Sequence, residues 1–547
     1  MYNRHLCLFL ILWNVVTLFS LPDQKIVYPD EWPYNALTAL SLEQGVIFFS
    51  GSPLTVLRFK AMLAEINENN LSLGGELLYD KLQNYLSSGS FLSLQAGSFS
   101  FDIDALLQPE FYVRTDGYLD WIYNNYYRRS FISIPVSLSF SPYFNAQFEG
   151  SFEQELGEAL ETGNYTNFPA NNFSMTIPHR AYVSFGLPLL KSSGIQFRIG
   201  IGEEIIGRTR LGSIILSDTM KDVTYAALSA YSPVLEYGAR ILQLDVNKYF
   251  YLHTLEARFF KQASLAFVEG VMVNAPLELR FLNPLMVFHN FGAWGDYGDY
   301  KGEETGGKEE PGDARVGSFF ALKAELQLFQ YTRIYGIWAL NELQTPGEKI
   351  NEPKALRPDS FGFQAGFECA IPLFRASLSF GLEGVYTYPF MYISRDKRWS
   401  FYKPDNGNSG PFQYWTGTPF GPDSIAAALW STYTAGTWSL SGSFLFLVQG
   451  ERAKLSVFDG GDYHPVLTGR YEDTTLRTPT GIPAYTCQIR SQVTWLPAKW
   501  IALSCSPGYR IVINYDNIQN RIRQGFELAL AVRCIPRELR NFKMAWK

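Results

Sequence analysis

The chain has 547 residues, of which 47% are hydrophobic and 16% aromatic, and its formal net charge is -6. Charged residues make up 18%, below the roughly 25% that is usual for soluble proteins. The mean hydropathy of -0.07 excludes a helical membrane protein, and the acidic balance provides no basic surface for nucleic acid. Many aromatic residues at neutral hydropathy are typical of membrane barrels with aromatic girdles; a large secreted β-sandwich or propeller is the alternative.

The first 20 residues resemble an export signal. Arg4 and His5 begin a short positive region, and an apolar run follows from Leu6 to Phe19. The run is shorter than the roughly 20 residues of a membrane helix, and Asn14 interrupts it. We therefore predict a signal peptide over residues 1–20. Because no later window is apolar for long enough to span a membrane as a helix, the mature chain is expected to be soluble outside the inner membrane or to form an outer-membrane barrel.

Residues 21–88 carry apolar side chains at helical spacing and predict a small helical region. Asp30 is an acceptable N-cap for the first helix, which Gly45 would end. The second helix would have Pro53 in its first turn, and the stretch LGGELLYDKLQNYL predicts a third. The region is small for a core of its own, so we expect it to plug or flank the rest of the chain.

From Phe91 onward the apolar period changes to two. In FISIPVSLSFSP, apolar residues from Ile132 to Phe140 alternate mainly with serines. Successive side chains of a strand point to opposite faces, so each such segment has one apolar and one polar wall. About 18 strands of roughly ten residues can be counted, and ten residues is the length that a tilted membrane strand needs. Residues 89–547 are therefore predicted to form an all-β, antiparallel outer-membrane barrel.

The connections between these strands alternate in length. Some turns are short, such as residues 330–332 and 497–499, whereas others are long and rich in Gly, Pro or acidic residues, such as 292–316, 394–424 and 450–483. Short turns at one rim and long loops at the other are typical of outer-membrane barrels. No blade motif recurs at a fixed period, as a propeller would require.

The stretch from Leu252 to Asn290 is predicted to form three strands with one apolar and one charged wall. In a barrel the charged wall would face the lumen, where we expect its acidic and basic side chains to pair with each other rather than to bind sugar. Other polar residues fall at strand ends or in loops, where side chains usually bond to local backbone. The charged set is Glu256, Arg258, Glu269, Glu278 and Arg280; the second set is Asn283, His289, Asp218 and Asp423.

Aromatic residues in the long loops are the candidate ligand-binding residues. They are Trp294, Tyr297, Tyr300 and Trp415. Aromatic rings exposed in outer loops can stack on sugar rings, and packing within the loops or the girdle is the alternative role.

No catalytic or metal-binding motif is found. The chain lacks H-E-x-x-H, G-x-S-x-G and a P-loop, and its histidines are not at metal-ligand spacing. Cys369, Cys487, Cys505 and Cys534 show no C-x-x-C spacing, which excludes zinc and thioredoxin-like sites. Cys487 and Cys505 lie nearly symmetrically about a turn, so a cross-strand disulfide and free thiols both stay open. We predict no enzymatic activity, no cofactor and no metal.

Five segments, in order, resemble the capsule-assembly outer-membrane proteins of the Wzi family. They are IIGRTRLGSIILSDT, the run LHTLEAR to LRFLNPLMVFHN, IYGIWALNE, LEGVYTYPFMY and GTPFGPDS. Asn341 stands where the family commonly has an acidic residue. Two further features differ from the family: the basic C-terminal tail PRELRNFKMAWK and the loop sequence EETGGKEE.

The resemblance implies an 18-stranded outer-membrane barrel with a helical part on the periplasmic side. It also implies a cell-surface protein that binds or anchors capsular polysaccharide or exopolysaccharide, without catalysis. The expected partners are outer-membrane lipid and a polysaccharide, with no nucleic acid, and a monomer is expected. The alternative function is a porin-like channel for small solutes, and a soluble exported enzyme or adhesin is a third reading.

Overall fold

The computed structural model describes most of the chain apart from its termini and several loops. The described residues are 26–27, 32–48, 54–87, 90–116, 130–140, 143–154, 165–166, 173–190, 192–218, 220, 222–288, 316–343, 359–373, 376–393, 400–405, 412–453, 476–498 and 500–534. The predicted signal peptide lies outside them. The predicted boundaries after residues 20 and 88 stay predictions.

The N-terminal part of the described chain contains three α-helices: α1 (Trp32–Gln44), α2 (Val56–Leu63) and α3 (Leu73–Ser87). Gly45 follows α1 with a φ of 68°, a left-handed conformation that favours glycine at a helix end. The side chain of Thr55 caps α2 by accepting a hydrogen bond from the backbone N–H of Arg58 at 3.3 Å. The prediction that Pro53 occupies the first turn of α2 was therefore wrong. Within the described residues, no helix is long and apolar enough to cross a membrane.

The rest of the described chain is mainly β-strand. The strands are β1 (Ile26–Val27), β2 (Leu54–Thr55), β3 (Leu92–Ala96), β4 (Phe99–Ile103), β5 (Leu106–Leu107), β6 (Glu110–Arg114), β7 (Ile132–Phe140), β8 (Phe144–Gln154), β9 (Tyr165–Thr166), β10 (Phe173–Leu190), β11 (Ser193–Gly202), β12 (Val223–Tyr231), β13 (Leu235–Asp245), β14 (Lys248–Phe259), β15 (Ala263–Asn274), β16 (Val316–Phe329), β17 (Thr332–Glu342), β18 (Ser360–Leu373), β19 (Ala376–Thr387), β20 (Tyr402–Asp405), β21 (Phe412–Trp415), β22 (Ser424–Ala435), β23 (Trp438–Gln449), β24 (Ala484–Ala498), β25 (Ile501–Ile513) and β26 (Ile522–Cys534).

These strands form a closed antiparallel barrel of 18 strands, which confirms the predicted fold class. Successive long strands pair in chain order, and the short strands β4, β5 and β6 together fill one wall position. There β4 and β5 pair with β7, while β5 and β6 pair with β26. At this seam Arg523 donates a hydrogen bond to Asp116 at 3.1 Å, across 407 residues of chain.

The two rims differ, as the alternating connections predicted. At one rim the strands are joined by two or three residues, as between β16 and β17 or between β18 and β19. We call this the short-turn rim. At the other rim most connections are long, including residues 203–222, 275–315, 388–423 and 450–483. We call this the long-loop rim.

Side chains alternate between the outer and the inner face of the barrel. On β15, for example, Leu265 and Phe267 point outward and are 49% and 46% exposed, whereas Ala266 and Val268 point inward and are fully buried. Exposed apolar side chains also occupy the outer faces of other strands, among them Phe185, Phe197, Phe363, Leu382, Leu429, Phe444 and Ile489. A continuous apolar outer band is what a barrel presents to lipid.

The segment 275–288, which we call the outer strap, lies over this outer face. It begins at the long-loop rim, and its Phe281 ring stacks on Tyr251 of β14 at 4.9 Å. Phe288 stacks on the outward-facing His253 at 4.1 Å, and the hydroxyl of Tyr237 donates to the carbonyl oxygen of Pro284. The third strand predicted between Leu252 and Asn290 was thus wrong. Residues Leu279–Leu282 form a 3₁₀ turn instead, because Phe281 packs back onto the barrel.

Candidate functional site

The lumen holds a loop that enters from the long-loop rim. Residues 203–222, which we call the inserted loop, join β11 to β12. Ile214, Ile215 and Leu216 of this loop are fully buried. An apolar Ile-Ile-Leu run in a barrel connection has to be covered by protein, and here the lumen covers it. The inserted loop therefore behaves as a core element rather than as a surface loop.

Glu383, an inward-facing residue of β19, fixes this loop to the wall. Its carboxylate accepts hydrogen bonds from the backbone N–H groups of Arg210 at 2.8 Å and Leu211 at 2.9 Å. It also accepts from Gln364 at 2.8 Å and from the hydroxyl of Tyr335. Glu383 is fully buried. Hydrogen bonds from several donors are what stabilises a carboxylate at such a position.

Gln364 of β18 holds the loop at a second point. Its Oε1 accepts from the backbone N–H of Ile214 at 3.0 Å, and its Nε2 donates to the carbonyl oxygen of Gly212 at 3.0 Å. Gly212 has a φ of 81°, and a Cβ added to it would lie 2.6 Å from Ser217 Oγ. The turn therefore requires glycine for both conformation and space.

The three helices, which we call the helical plug, close part of the short-turn rim. Arg58 of α2 forms a buried ion pair with Glu236 of β13. Arg258 of β14 pairs with Glu65 at 2.9 Å and donates to the carbonyl oxygen of Ile47 at 3.1 Å. These charges connect the helices to the β13–β14 side of the barrel.

The inserted loop and the helical plug meet inside the barrel. Arg208 of the loop donates to the Thr38 hydroxyl of α1 and lies 3.9 Å from Glu368. Arg333 of β17 pairs with the same Glu368 at 2.8 Å and donates to the carbonyl oxygen of Arg208 at 3.2 Å. Elements from the two rims are thus joined through one cluster of charges.

A buried chain of charges continues along the wall. Lys323 of β16 lies 2.8 Å from Glu256 and 3.1 Å from Glu325, and Arg333 lies 3.2 Å from Glu325. Each of these side chains is at most 3% exposed. Charges this deeply buried are stable only when paired, so the chain is a structural network.

Near the long-loop rim, the lumen is filled by the described residues of the 388–423 connection. Tyr392 is fully buried, its hydroxyl donates to the carbonyl oxygen of Ile214 at 2.9 Å, and burial raises its pKa. Trp415 lies 5.9 Å from the Tyr392 ring and is only 5% exposed. With Phe401 and the inserted loop these residues belong to one large apolar cluster.

Asp423 anchors the next long connection. Its carboxylate accepts from the backbone N–H of Thr480 at 3.1 Å, from the Thr480 hydroxyl at 2.5 Å and from the backbone N–H of Arg452 at 3.2 Å. Burial raises the pKa of Asp423 above its usual value. Asp423 therefore ties the two ends of the 450–483 connection to the start of β22.

The structure divides the charged residues predicted from the sequence between the two faces of the barrel. Glu256 and Arg258 lie in the lumen and are paired. Glu269 faces outward beneath the outer strap, because it has the parity of the exposed Leu265 and Phe267, so its predicted lumenal position was wrong. Glu278 and Arg280 were also wrongly predicted to face the lumen. They form a partly exposed ion pair of 2.8 Å on the strap.

The remaining predicted residues have different environments. Asn283 is an exposed turn residue whose Oδ1 accepts from the backbone N–H of Leu285 at 3.1 Å. Asp218 is exposed and accepts from the hydroxyl of Ser217 at 3.2 Å. Trp415 cannot stack on an external sugar in this arrangement, because it is buried in the lumenal cluster. His289, Trp294, Tyr297 and Tyr300 lie outside the described residues.

The cysteines are free thiols in the described chain. The register of β24 and β25 pairs Cys487 with Ile511 and Cys505 with Val493. The two cysteines are thus not cross-strand neighbours, and that possibility was wrong. No group of side chains suited to hold a metal ion is present among the described residues.

Sequence reasoning missed Glu383, Gln364 and Arg210 as functional candidates. The signal for the inserted loop was available: IIGRTRLGSIILSD is too apolar for an exposed loop between two strands. The partners of the loop were not, because Glu383 and Gln364 lie about 150 residues or more further along the chain.

Comparisons with solved structures bear on this architecture. The chain is similar to Wzi of Escherichia coli, described as an outer-membrane protein involved in group 1 capsule assembly and a carbohydrate-binding β-barrel. The TM-score is 0.54 and the identity 11%, covering 92% of this chain and 98% of the other. OprD of Pseudomonas aeruginosa gives a TM-score of 0.41 at 9% identity, covering 79% and 94%.

A third solved structure is a loop-deletion mutant of OmpT from Vibrio cholerae, with a TM-score of 0.34 at 11% identity, covering 80% of this chain and 99% of the other. No family model matches the chain, and no curated protein matches it. The structure and its likeness to Wzi define the fold as a closed, antiparallel 18-stranded β-barrel, a fold that outer-membrane proteins have.

Proposed function

We propose that this chain is a non-enzymatic outer-membrane protein that binds or anchors a polysaccharide at the cell surface. In this proposal the short-turn rim and the helical plug face the periplasm, and the long loops face outward. The first polypeptide segment would be removed as a signal peptide.

The observation that carries the proposal is the filled lumen on the β12–β19 side. The inserted loop, the helical plug and residues 388–423 meet there through Glu383, Arg208 and Tyr392. A barrel built for free diffusion would leave this space open. A filled barrel suits a protein whose work is done by its outer loops, which is where binding residues commonly lie.

The test compares cells that carry the protein with cells that lack it. We expect the cells without it to release surface polysaccharide into the medium while making the same total amount. Replacing Trp294 and Tyr300 with Ala should reproduce part of this loss, because aromatic rings supply stacking contacts to sugars. Trp438→Ala, on the outer face of β23, is the matched control. Equal retention in all strains would exclude the proposal.

Outer-membrane insertion is tested separately by gel migration of the extracted membrane fraction. A folded barrel should run faster before heating than after it. A protein found in the soluble fraction, with no change on heating, would exclude the membrane assignment.

The alternative is a porin-like channel for small solutes. It is favoured by the polar, solvent-exposed inner wall on β22–β25, where Ser443 is exposed. It predicts steady conductance for the wild-type protein in planar bilayers, whereas an anchoring barrel with a filled lumen should show none.

A further inference from the structure

The inner wall on β19 and β22–β25 forms a chamber, which we call the vestibule; α3 of the helical plug borders it at Ala376, where a Cβ added to Gly74 would lie 3.3 Å from the Ala376 carbonyl oxygen. The register brings Trp430, Ser443 and Arg490 to one level on β22, β23 and β24. From this level to the short-turn rim, the inward positions of β19 and β22–β25 carry mostly hydroxyl groups. They are Ser377, Ser379, Thr432, Thr434, Ser439, Ser441, Ser443, Thr494, Ser504 and Ser506, with Gln492 among them.

The vestibule is open to solvent. Ser377 and Ser443 are exposed although they point inward, and most of the other hydroxyl residues are half-buried. Within the described strands, no ionisable side chain occupies an inward position of β19 or β22–β25 below the level of Trp430. A neutral wall of hydroxyl groups can both donate and accept hydrogen bonds along its length.

The roof of the vestibule carries one exposed cation. The guanidinium of Arg210 is exposed and lies 5.9 Å from the ring of Trp430. No carboxylate pairs with this side chain among the residues that the structure describes. Arg490 at the same level is different, because it is paired with Glu527 at 2.9 Å. Arg210 is thus the positive charge at the roof, whereas Arg533, exposed at an inward position of β26 beside Ala502, is a second cation at the short-turn rim.

Both ends of Arg210 are held in place. Glu383 accepts its backbone N–H at 2.8 Å, and the Trp430 ring supports its guanidinium. Trp430 itself lies against Gly381, where an added Cβ would come within 2.3 Å of the ring. Trp430 is only 8% exposed, so it is a positioning residue rather than a ligand contact.

We infer that the vestibule binds an acidic saccharide, entering from the short-turn rim, with its carboxylate on Arg210 and its hydroxyl groups on the Ser and Thr wall. A guanidinium matches a carboxylate with two parallel hydrogen bonds. The inference rests on the proposed carbohydrate function for the choice of a saccharide, and it adds the charge of the ligand and the rim from which it enters.

The test measures binding to the full-length protein in detergent by titration calorimetry. The probes are tetragalacturonate, which is acidic, maltotetraose, which is neutral, and inorganic phosphate. We expect tetragalacturonate to bind and the other two to bind at least about tenfold more weakly, because a hydrogen bond to a charged group is stronger than one between neutral groups. Absent binding of tetragalacturonate, or equal binding of maltotetraose or phosphate, would overturn the inference.

Variants then assign the site. Arg210→Gln should weaken tetragalacturonate binding by at least about tenfold while keeping the backbone bond to Glu383, whereas Arg210→Lys should restore part of it. Trp430→Leu should weaken binding less than Arg210→Gln does. Arg521→Gln, an exposed arginine in the β25–β26 connection, is the matched control. Unchanged binding by Arg210→Gln with a heat-modifiable barrel would also overturn the inference.

Failure of this site is distinguishable from failure of the proposed function. Loss of polysaccharide retention in cells lacking the protein, together with no binding of tetragalacturonate, would exclude only the vestibule. Unchanged retention in those cells would exclude the proposed function, whatever the calorimetry shows.

Discussion

The carboxylate of Glu383 on the barrel wall accepts the backbone N–H of Leu211 at 2.9 Å, and so holds a loop that enters from the opposite side of the lumen. Glu383→Ala leaves buried N–H groups of the inserted loop without an acceptor. We expect the free energy of unfolding to fall by about 2–4 kcal/mol, since each orphaned buried donor costs about 1–3 kcal/mol. Planar-bilayer conductance should rise at the same time, because the loop is released from the lumen.

Glu278→Gln is the matched control, because its ion pair with Arg280 lies partly exposed outside the barrel. An equal conductance for Glu383→Ala and the wild-type protein would mean that the inserted loop does not depend on Glu383.

Arg258 is expected to hold the helical plug. Arg258→Ala removes the pair with Glu65 and the hydrogen bond to Ile47 in one step. Removing one partner of a buried pair costs about 3–5 kcal/mol, and this pair is at the lower end because Glu65 is partly exposed. Hydrogen exchange across residues 32–87 should therefore accelerate, with little change in β23–β24.

Arg258→Lys is the conservative comparison. Lysine keeps the positive charge but lacks the guanidinium that reaches both Glu65 and Ile47. The exchange rates of residues 32–87 in this variant should therefore lie between those of the wild type and of Arg258→Ala. Uniform exchange rates in all three proteins would show that the helices are held by apolar contacts alone.

The connection anchored by Asp423 should depend on pH. Burial raises the pKa of Asp423 above its ordinary 3.8, so the folded chain holds this proton more tightly than the unfolded chain does. The stability contributed by Asp423 is then complete below pH 3.8 and is lost as the pH rises through the raised pKa. The protection factor of the Thr480 amide, which compares its exchange rate with that of an unstructured peptide at the same pH, should fall over this range, and Asp423→Asn should remove this fall.

A profile for Asp423→Asn with the same pH dependence as the wild type would assign the effect to another group.

The outer strap is expected to contact lipid. Leu285 is 88% exposed and points away from the barrel, next to the apolar band of β14 and β15. A polarity-sensitive fluorophore on Leu285→Cys should therefore emit at shorter wavelength in vesicles than the same label on Asn520→Cys in the β25–β26 connection. Identical emission from the two positions would place the strap in water.

Alternation along single strands was enough to predict much of the barrel. It predicted the fold class and the inward positions of Glu256 and Arg258, because strand parity is a local property of the sequence. Glu269 was wrongly assigned to the lumen because it is charged, although it has the parity of the outward-facing Leu265 and Phe267. The outer strap covers this part of the outer wall and lets a carboxylate be buried there. Nothing within β15 indicates that cover.

The candidate ligand residues were less predictable for a different reason. Trp415 was assigned to the outside because it lies in a long connection, but that connection folds into the lumen. Arg210 was overlooked because its role depends on Trp430, whose ring supports the guanidinium. Trp430 lies 220 residues further along the chain and on a different element. Pairings of this kind depend on how loops return into the barrel, and single-sequence patterns do not record it.

The seam between β6 and β26 has a consequence for biogenesis. Arg523 and Asp116 meet there across 407 residues of chain, so the ring of strands cannot be completed until β26 has been synthesised. Joining chain ends this distant is entropically slow. During this interval the unfinished sheet has two unpaired edges, which are sites for aggregation. Closure between β6 and β26 is therefore the step that removes both edges.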